Sequence, residues 1–194
     1  MPVDLTRSLL VILIPGAVAA APWLLVLVLY TSATLGYVEK YTTIANAVCF
    51  AVAVIAGLIC ETLGTWIEVR WDKQREKAHD ISENWFAYLA HQLPNEPVGY
   101  RYLSRLATML YFELAMLIAS VPFAIGVWVL LYLRFPQHAL VVSIAMSLGI
   151  VAVVIYFKVN AKKTHEVLCV TRRQLNERIR AAQASTKMSD AVVV

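Results

Sequence analysis

Four long runs without a charged residue constrain this chain more than any other feature. They cover Leu9–Tyr30, Tyr41–Cys60, Leu114–Leu133 and Ala139–Phe157. Each run is close to the ~20 residues that cross a ~30 Å hydrocarbon layer as a helix. Apolar residues make up 60% of the chain and charged residues only 15%, against ~25% charged in typical soluble domains. The pattern predicts an all-α integral membrane protein with four transmembrane helices.

The placement of Lys and Arg predicts the orientation of these helices. Lys40 lies between the first two runs and Arg134 between the last two, whereas the other 15 basic residues lie in the two ends and the central loop. Because basic residues stay on the cytoplasmic side, both termini are expected in the cytoplasm. The short connections at 31–40 and 134–138 predict two antiparallel hairpins. The expected location is a bacterial inner membrane.

The remaining segments predict the organisation of the chain around these hairpins. Residues 65–83 carry many charges and no Gly or Pro, which favours an extension of helix 2 into the cytoplasm. An aromatic-rich interfacial elbow is expected before helix 3. The C-terminal tail is expected to form a basic cytoplasmic helix with a disordered end from Ala184. The expected segments are a lead at 1–8, a first hairpin at 9–64, the extension and elbow at 65–105, a second hairpin at 106–158, and the tail at 159–194.

Helix 2 presents a small-residue face that becomes acidic at its cytoplasmic end. Such a face either packs closely against other helices or lines a conduit between copies of the chain, where carboxylates would attract cations. Small-residue faces also favour assembly as a homo-oligomer within membrane lipid. The candidate lining residues are Asn46, Ala53, Gly57, Glu61, Gly64, Glu68 and Asp72.

Glu61 and Glu113 are predicted to lie inside the membrane on helices of opposite direction. Helical rise places each about 10–12 Å from the cytoplasmic surface. An ionised side chain at this depth costs a few kcal/mol or more unless it is paired or hydrated. The two acids are therefore expected either to form structural ion pairs or to belong to an ion or proton path.

The charged extension of helix 2 also suggests a weak metal site. A helix can present several ligands on one face at i, i+3 and i+4 spacing, and a carboxylate-rich set favours Mg²⁺, Mn²⁺ or Ca²⁺. The more common interpretation of such a face is a solvated helix surface, and no cofactor is expected. The candidate ligands are Asp72, Glu76, His79 and Glu83.

The tail carries the least compensated group of basic residues. Topology alone explains most of this charge, but the group could also bind anionic lipid or a nucleotide or oligonucleotide. Multimerisation would join such groups into a basic ring. The candidate ligand-binding residues are Lys162, Lys163, Arg172, Arg173, Arg178 and Arg180.

The size, the paired hairpins and the extension of helix 2 resemble small four-span membrane effectors of bacterial anti-phage systems. The resemblance covers architecture and no motif, although residues 96–103 and Phe112–Glu113 look like a family signature. It implies an oligomeric pore controlled by a nucleotide signal and a role in antiviral defence. Immunity proteins of secreted toxins share the same plan.

These observations predict an oligomeric, cation-conducting channel or pore-forming effector gated by an anionic cytoplasmic ligand, and they favour this over an enzyme. One alternative is a metal-dependent membrane enzyme that acts on lipid through Glu61, Glu113, Asp72 and His79. Another is a membrane immunity or adaptor protein that binds a partner encoded nearby. Nucleophilic catalysis has little support, because the sequence lacks GxSxG, a Gly-rich phosphate loop and a Cys with an adjacent base.

Overall fold

The computed structural model is helical throughout the part of the chain it describes. It describes the backbone of residues 2–83, 85 and 98–192, and side chains over 9–31, 36–77, 80–83, 85, 101–138 and 140–181. The helices are α1 (Pro2–Tyr30), α2 (Ser32–Lys40), α3 (Thr42–His79), α4 (Val98–Arg134) and α5 (Ala139–Val192), with a 3₁₀ turn at Pro136–His138. Four of them, all but α2, are long and apolar enough to cross a membrane, which confirms the prediction of four candidate membrane-spanning helices in an all-helical chain.

Helix α3 is much longer than a membrane span requires. Its 38 residues correspond to about 57 Å of helix, against a hydrocarbon layer of ~30 Å. The predicted continuation of helix 2 beyond Gly64 is therefore confirmed as far as His79. Asp80 then adopts a φ of 45°, a left-handed conformation that Asp tolerates better than most residues, and residues 81–83 begin a separate helical segment.

Helix α5 also runs far past its apolar part. The apolar run ends at Phe157, and Lys158, Lys162 and Lys163 follow within the same helix. The helix continues to Val192, where a disordered end had been expected from Ala184. No Gly or Pro follows Gly149, so nothing in the local sequence strongly opposes helix in this region.

The chain divides into two compact units. The apolar unit comprises Met1–Ile67 and Leu110–Ala161, and the charged unit comprises Glu68–Met109 and Lys162–Val194. The charged unit holds 13 of the 17 Lys and Arg residues and nine of the 13 Asp and Glu residues. The four apolar runs thus share one unit, and most of the titratable chemistry lies in the other.

Close approach of α1 and α3 organises the apolar unit. A Cβ on Gly57 would lie 2.7 Å from the carbonyl carbon of Ile12, and a Cβ on Gly16 would lie 2.5 Å from the backbone nitrogen of Gly57. Real Cβ atoms do not reach such distances from backbone, so both positions require glycine. Without a strong hydrophobic driving force between helices in lipid, this close packing is a main source of attraction.

Small residues also bring α4 against α1 and α3. The buried core of the apolar unit contains Ala19, Cys60, Ala115 and Ala119. A Cβ on Gly64 would lie 3.1 Å from the Cβ of Leu114. The indole N–H of Trp23 donates to the Pro122 carbonyl over 3.0 Å. These contacts form a bundle of α1, α3 and α4 in which the helices approach closely.

Candidate functional site

A buried histidine in the charged unit joins α3 to α5. Only 1% of the His165 side chain is exposed, and its Nε2 lies 2.8 Å from Oδ1 of Asp72. The Trp71 ring packs against the imidazole edge-on, with centroids 5.7 Å apart. Burial of a polar ring is favourable only when its nitrogens are hydrogen-bonded, and Asp72 satisfies one of them.

Arg75 satisfies the second ring nitrogen of His165. Its Nη1 lies 3.0 Å from Nδ1, and its Nη2 lies 3.6 Å from the carboxylate of Glu166. Asp72 and Arg75 are three residues apart on α3 and therefore share one helix face. The His165 ring thus contacts a carboxylate on one nitrogen and a guanidinium on the other, both from α3.

Cys169 completes this cluster from the next turn of α5. Its buried Sγ lies 4.0 Å from Nδ1 of His165. Burial lowers the pKa of His165, but hydrogen bonds to Asp72 and Cys169 outweigh burial and raise the pKa to about 9. Arg75 acts in the opposite direction, because a guanidinium can donate to Nδ1 only when that nitrogen keeps its lone pair. We call Asp72, Arg75, His165 and Cys169 the histidine cluster.

The histidine cluster contains three donor types that zinc accepts in proteins. The donor atoms of Asp72, His165 and Cys169 all lie within 4.8 Å of one another. However, the Arg75 guanidinium lies 3.0 Å from Nδ1, so a metal at this position would have to displace a fixed positive charge. The 2.8 Å separation of Nε2 and Oδ1 is also that of a hydrogen bond. The arrangement supports a hydrogen-bonded network and not a metal centre.

The acids predicted to bind a metal are used in other contacts. The Glu76 carboxylate accepts from the backbone N–H of Ser82 at 3.0 Å, which caps the segment after the break at Asp80. Glu83 pairs with Arg180 at 3.3 Å and lies beyond that break, so it does not continue the stripe of α3. The side chain of His79 lies outside the described residues. Among the described side chains, the group of three that could hold a metal contains Asp72 but neither Glu76 nor Glu83. A metal site built from Asp72, Glu76, His79 and Glu83 stays a prediction.

The small-residue face of α3 packs within its own chain. Ala53, Gly57 and Gly64 are buried, and the two glycines lie against α1 and α4 respectively. Asn46 is exposed, and Glu68 is half-buried in the charged unit. Intrachain packing thus accounts for three of the proposed lining residues.

The two carboxylates predicted inside the membrane lie in the apolar unit. Glu113 is 7% exposed on α4, next to the Leu114 backbone that contacts Gly64. Glu61 is half-buried on α3, and its backbone carbonyl accepts from the hydroxyl of Thr65 over 3.0 Å. No described cluster of three metal-ligating side chains includes either acid.

Three of the basic residues of the tail contact other side chains of the same chain. Arg173 pairs with Glu177 within α5 at 2.9 Å, and Arg180 pairs with Glu83. The Arg172 guanidinium lies 4.7 Å from the centre of the Trp85 ring. Lys162, Lys163 and Arg178 are exposed. An anionic ligand would have to compete with these intrachain contacts or use the exposed residues.

The spacing of His165 and Cys169 was a signal for the histidine cluster in the sequence. The two residues are four apart on one helix, so both side chains lie on the same face, and Asp72 and Arg75, three apart on α3, also share a face. The prediction that no Cys has an adjacent base was wrong for Cys169, whose Sγ lies 4.0 Å from Nδ1 of His165.

No family model, curated protein or solved structure matches the chain.

Proposed function

We propose that this protein is a cation-conducting membrane channel assembled from several copies of the chain. The observation that carries the proposal is the carboxylate of Glu61, half-buried on an apolar span at the margin of the packed face of α3. Ionisable groups inside transmembrane segments are costly, and they commonly mark ion or proton paths. Glu113 on α4, 7% exposed, is a second acid of the apolar unit and lies within the single chain.

The conduit lies between copies, because the bundle of α1, α3 and α4 is closed by small residues. Ala19, Ala115 and Ala119 fill its centre, and Gly57 contacts the α1 backbone. The apolar window of α5 has none of its residues buried and is available to lipid or to another chain. We place the charged unit in the cytoplasm of a bacterial cell, following the distribution of basic residues.

An anionic cytoplasmic ligand, either a nucleotide or an oligonucleotide, controls opening of the channel. Lys162, Lys163 and Arg178 are exposed on α5 and provide the first contacts with phosphate. Binding then draws Arg180 from Glu83, an exposed pair that is worth ~1 kcal/mol or less. The ligand can therefore rearrange this contact at low cost.

Ion flux into proteoliposomes tests the proposal. We expect a flux of K⁺ that falls at least tenfold in Glu61→Gln, because this change removes charge from the wall of the path, and that falls less in Glu113→Gln, whose carboxylate is buried within a single chain. Glu39→Gln is the matched control, since Glu39 is an exposed acid of the apolar unit outside the apolar runs. Absence of flux with and without added oligonucleotide, or equal flux in all variants, would contradict the channel.

Two other outcomes would identify a different function. Purification of the chain in a stable complex with another protein, without flux, would favour the partner-binding adaptor. Turnover of lipid in the presence of a divalent metal would favour the membrane enzyme. Native mass spectrometry of the detergent-solubilised protein supplies the subunit count that the channel requires.

A further inference from the structure

The hydrogen-bond partners of His165 define its protonation state in this structure. An ionised Asp72 can only accept, so Nε2 of His165 carries a proton and donates over 2.8 Å. The Arg75 guanidinium can only donate, so Nδ1, which lies 3.0 Å from Nη1, carries a lone pair. A His165 ring that donates to Asp72 and accepts from Arg75 is a neutral imidazole with its proton on Nε2.

Protonation of Nδ1 is incompatible with the Arg75 contact. It would place two donors and two positive charges face to face at the same position, in a site where only 1% of the histidine is exposed. Water therefore cannot screen the repulsion as it does at a surface. Arg75 and a proton compete for one nitrogen.

We propose that His165 is a proton-controlled latch between α3 and α5. Neutral His165 holds Arg75, and protonated His165 releases it. Each released group has a second partner in place. The new Nδ1–H faces Cys169 Sγ at 4.0 Å, and Arg75 Nη2 is already 3.6 Å from the Glu166 carboxylate.

The groups around the ring set the pH range of the latch. Asp72 and Arg75 face the ring from α3, and Cys169 lies beside it on α5, with Glu166 behind Arg75. Hydrogen bonds to Asp72 and Cys169 raise the pKa of His165 to about 9. Competition with Arg75 for Nδ1 opposes this rise, because the guanidinium needs the lone pair of that nitrogen.

The latch acts on two helices that also contain candidate membrane spans. Both α3 and α5 run from the apolar unit into the charged unit, so breaking Arg75 from His165 removes a polar contact between them. The latch does not depend on conduction and can be tested without it. If the channel also exists, pH at the charged unit becomes one of its controls.

Nitrogen NMR of the full-length protein, labelled with ¹⁵N-histidine in lipid nanodiscs, tests the latch. The spectra are recorded from pH 5 to pH 10, and His165→Gln assigns the signals. At high pH we expect one protonated and one bare ring nitrogen, and at low pH two protonated nitrogens. The Arg75→Met variant should raise the midpoint by about one pH unit or more, a tenfold gain in proton affinity.

Matched variants distinguish competition between Arg75 and a proton at Nδ1 from the general effect of removing a charge. Arg173→Met removes an arginine from the exposed pair with Glu177 and should leave the midpoint unchanged. If Arg75→Met does not fold, Glu166→Gln provides the second test, because Glu166 is largely exposed and its loss should lower the midpoint. Glu177→Gln is its control. A midpoint unmoved by Arg75→Met or by Glu166→Gln, or two protonated nitrogens at every pH, overturns the proposal.

Discussion

Replacement of Gly57 by alanine should destabilise the apolar unit, although alanine is the better helix former. In isolation the change would favour helix by about 1 kcal/mol. In the structure the new Cβ would lie 2.7 Å from the carbonyl carbon of Ile12, whereas carbon atoms pack at about 3.5–4.0 Å. The α1 and α3 backbones would therefore have to separate by at least roughly 0.8 Å, the difference between 2.7 Å and the lower packing distance, because the Ile12 carbonyl oxygen lies closer than the carbonyl carbon.

The magnitude follows from the contacts that this separation weakens. A radial gap of about 0.5–1 Å forfeits a quarter to a half of the dispersion energy at each contact, and overpacking typically costs about 1–3 kcal/mol. Subtracting the gain in helix propensity of about 1 kcal/mol from this cost leaves an expected net loss of up to about 2 kcal/mol. The same estimate applies to Gly16→Ala, because both glycines lie at the same crossing.

Circular dichroism measures this loss of unfolding free energy while the protein unfolds reversibly in mixed micelles of increasing SDS fraction. The matched control is Gly149→Ala, because a Cβ at Gly149 meets nothing within 4 Å and should leave stability equal or higher. A Gly57→Ala protein as stable as the Gly149→Ala protein would refute the close crossing of α1 and α3.

Three further predictions concern the charged unit. Asp72→Asn should cost about 1–2 kcal/mol in a denaturation experiment, at the low end for a charged hydrogen bond because Asp72 is one-third exposed. Glu83→Gln, which removes the exposed pair with Arg180, should change stability by less than about 0.5 kcal/mol. Hydrogen bonds to Asp72 and Cys169 raise the pKa of His165 from 6.5 to about 9, and both contacts remain in Arg75→Met. The stabilisation they give the protonated ring is complete below pH ~6.5 and is lost as pH rises through the folded-state pKa. Denaturation across this range, compared with an Arg75→Met, His165→Gln double variant, should show that dependence only when His165 is present.

The helical part of the fold was predictable because it depends on local sequence. Uncharged runs of about 20 residues are long enough to span a membrane wherever they occur, and the absence of Gly and Pro after Gly64 predicted the continuation of α3. The break at Asp80 was not predicted. It depends on one residue with positive φ and on the Glu76 carboxylate that caps Ser82, and neither produces a pattern along the sequence.

The contact between α3 and α5 in the histidine cluster could not be predicted, for a different reason. Asp72 and His165 are 93 residues apart, and their contact depends on the rotation of α3 and α5 about their own axes. Periodicity shows which residues share a face of one helix, but it does not show which faces of two helices meet. An acidic stripe on α3 was therefore recognised, while its principal partner on α5 was not.

Part of the small-residue and acidic face of α3 packs against other helices and part of it is exposed. This arrangement restricts where a conduit can run. Gly57 cannot face a central axis while it contacts the α1 backbone, so copies of the chain would have to approach through another side of α3. Glu61 lies at the margin of the packed face and is half-buried, while Asn46 and Thr62 are exposed. A path between chains would therefore run along this margin. There the Glu61 carboxylate can contact water held between two copies of the chain, while the Glu61 backbone stays in the bundle. Burial of Glu61 is thus expected to depend on assembly, whereas Glu113 is buried in the single chain.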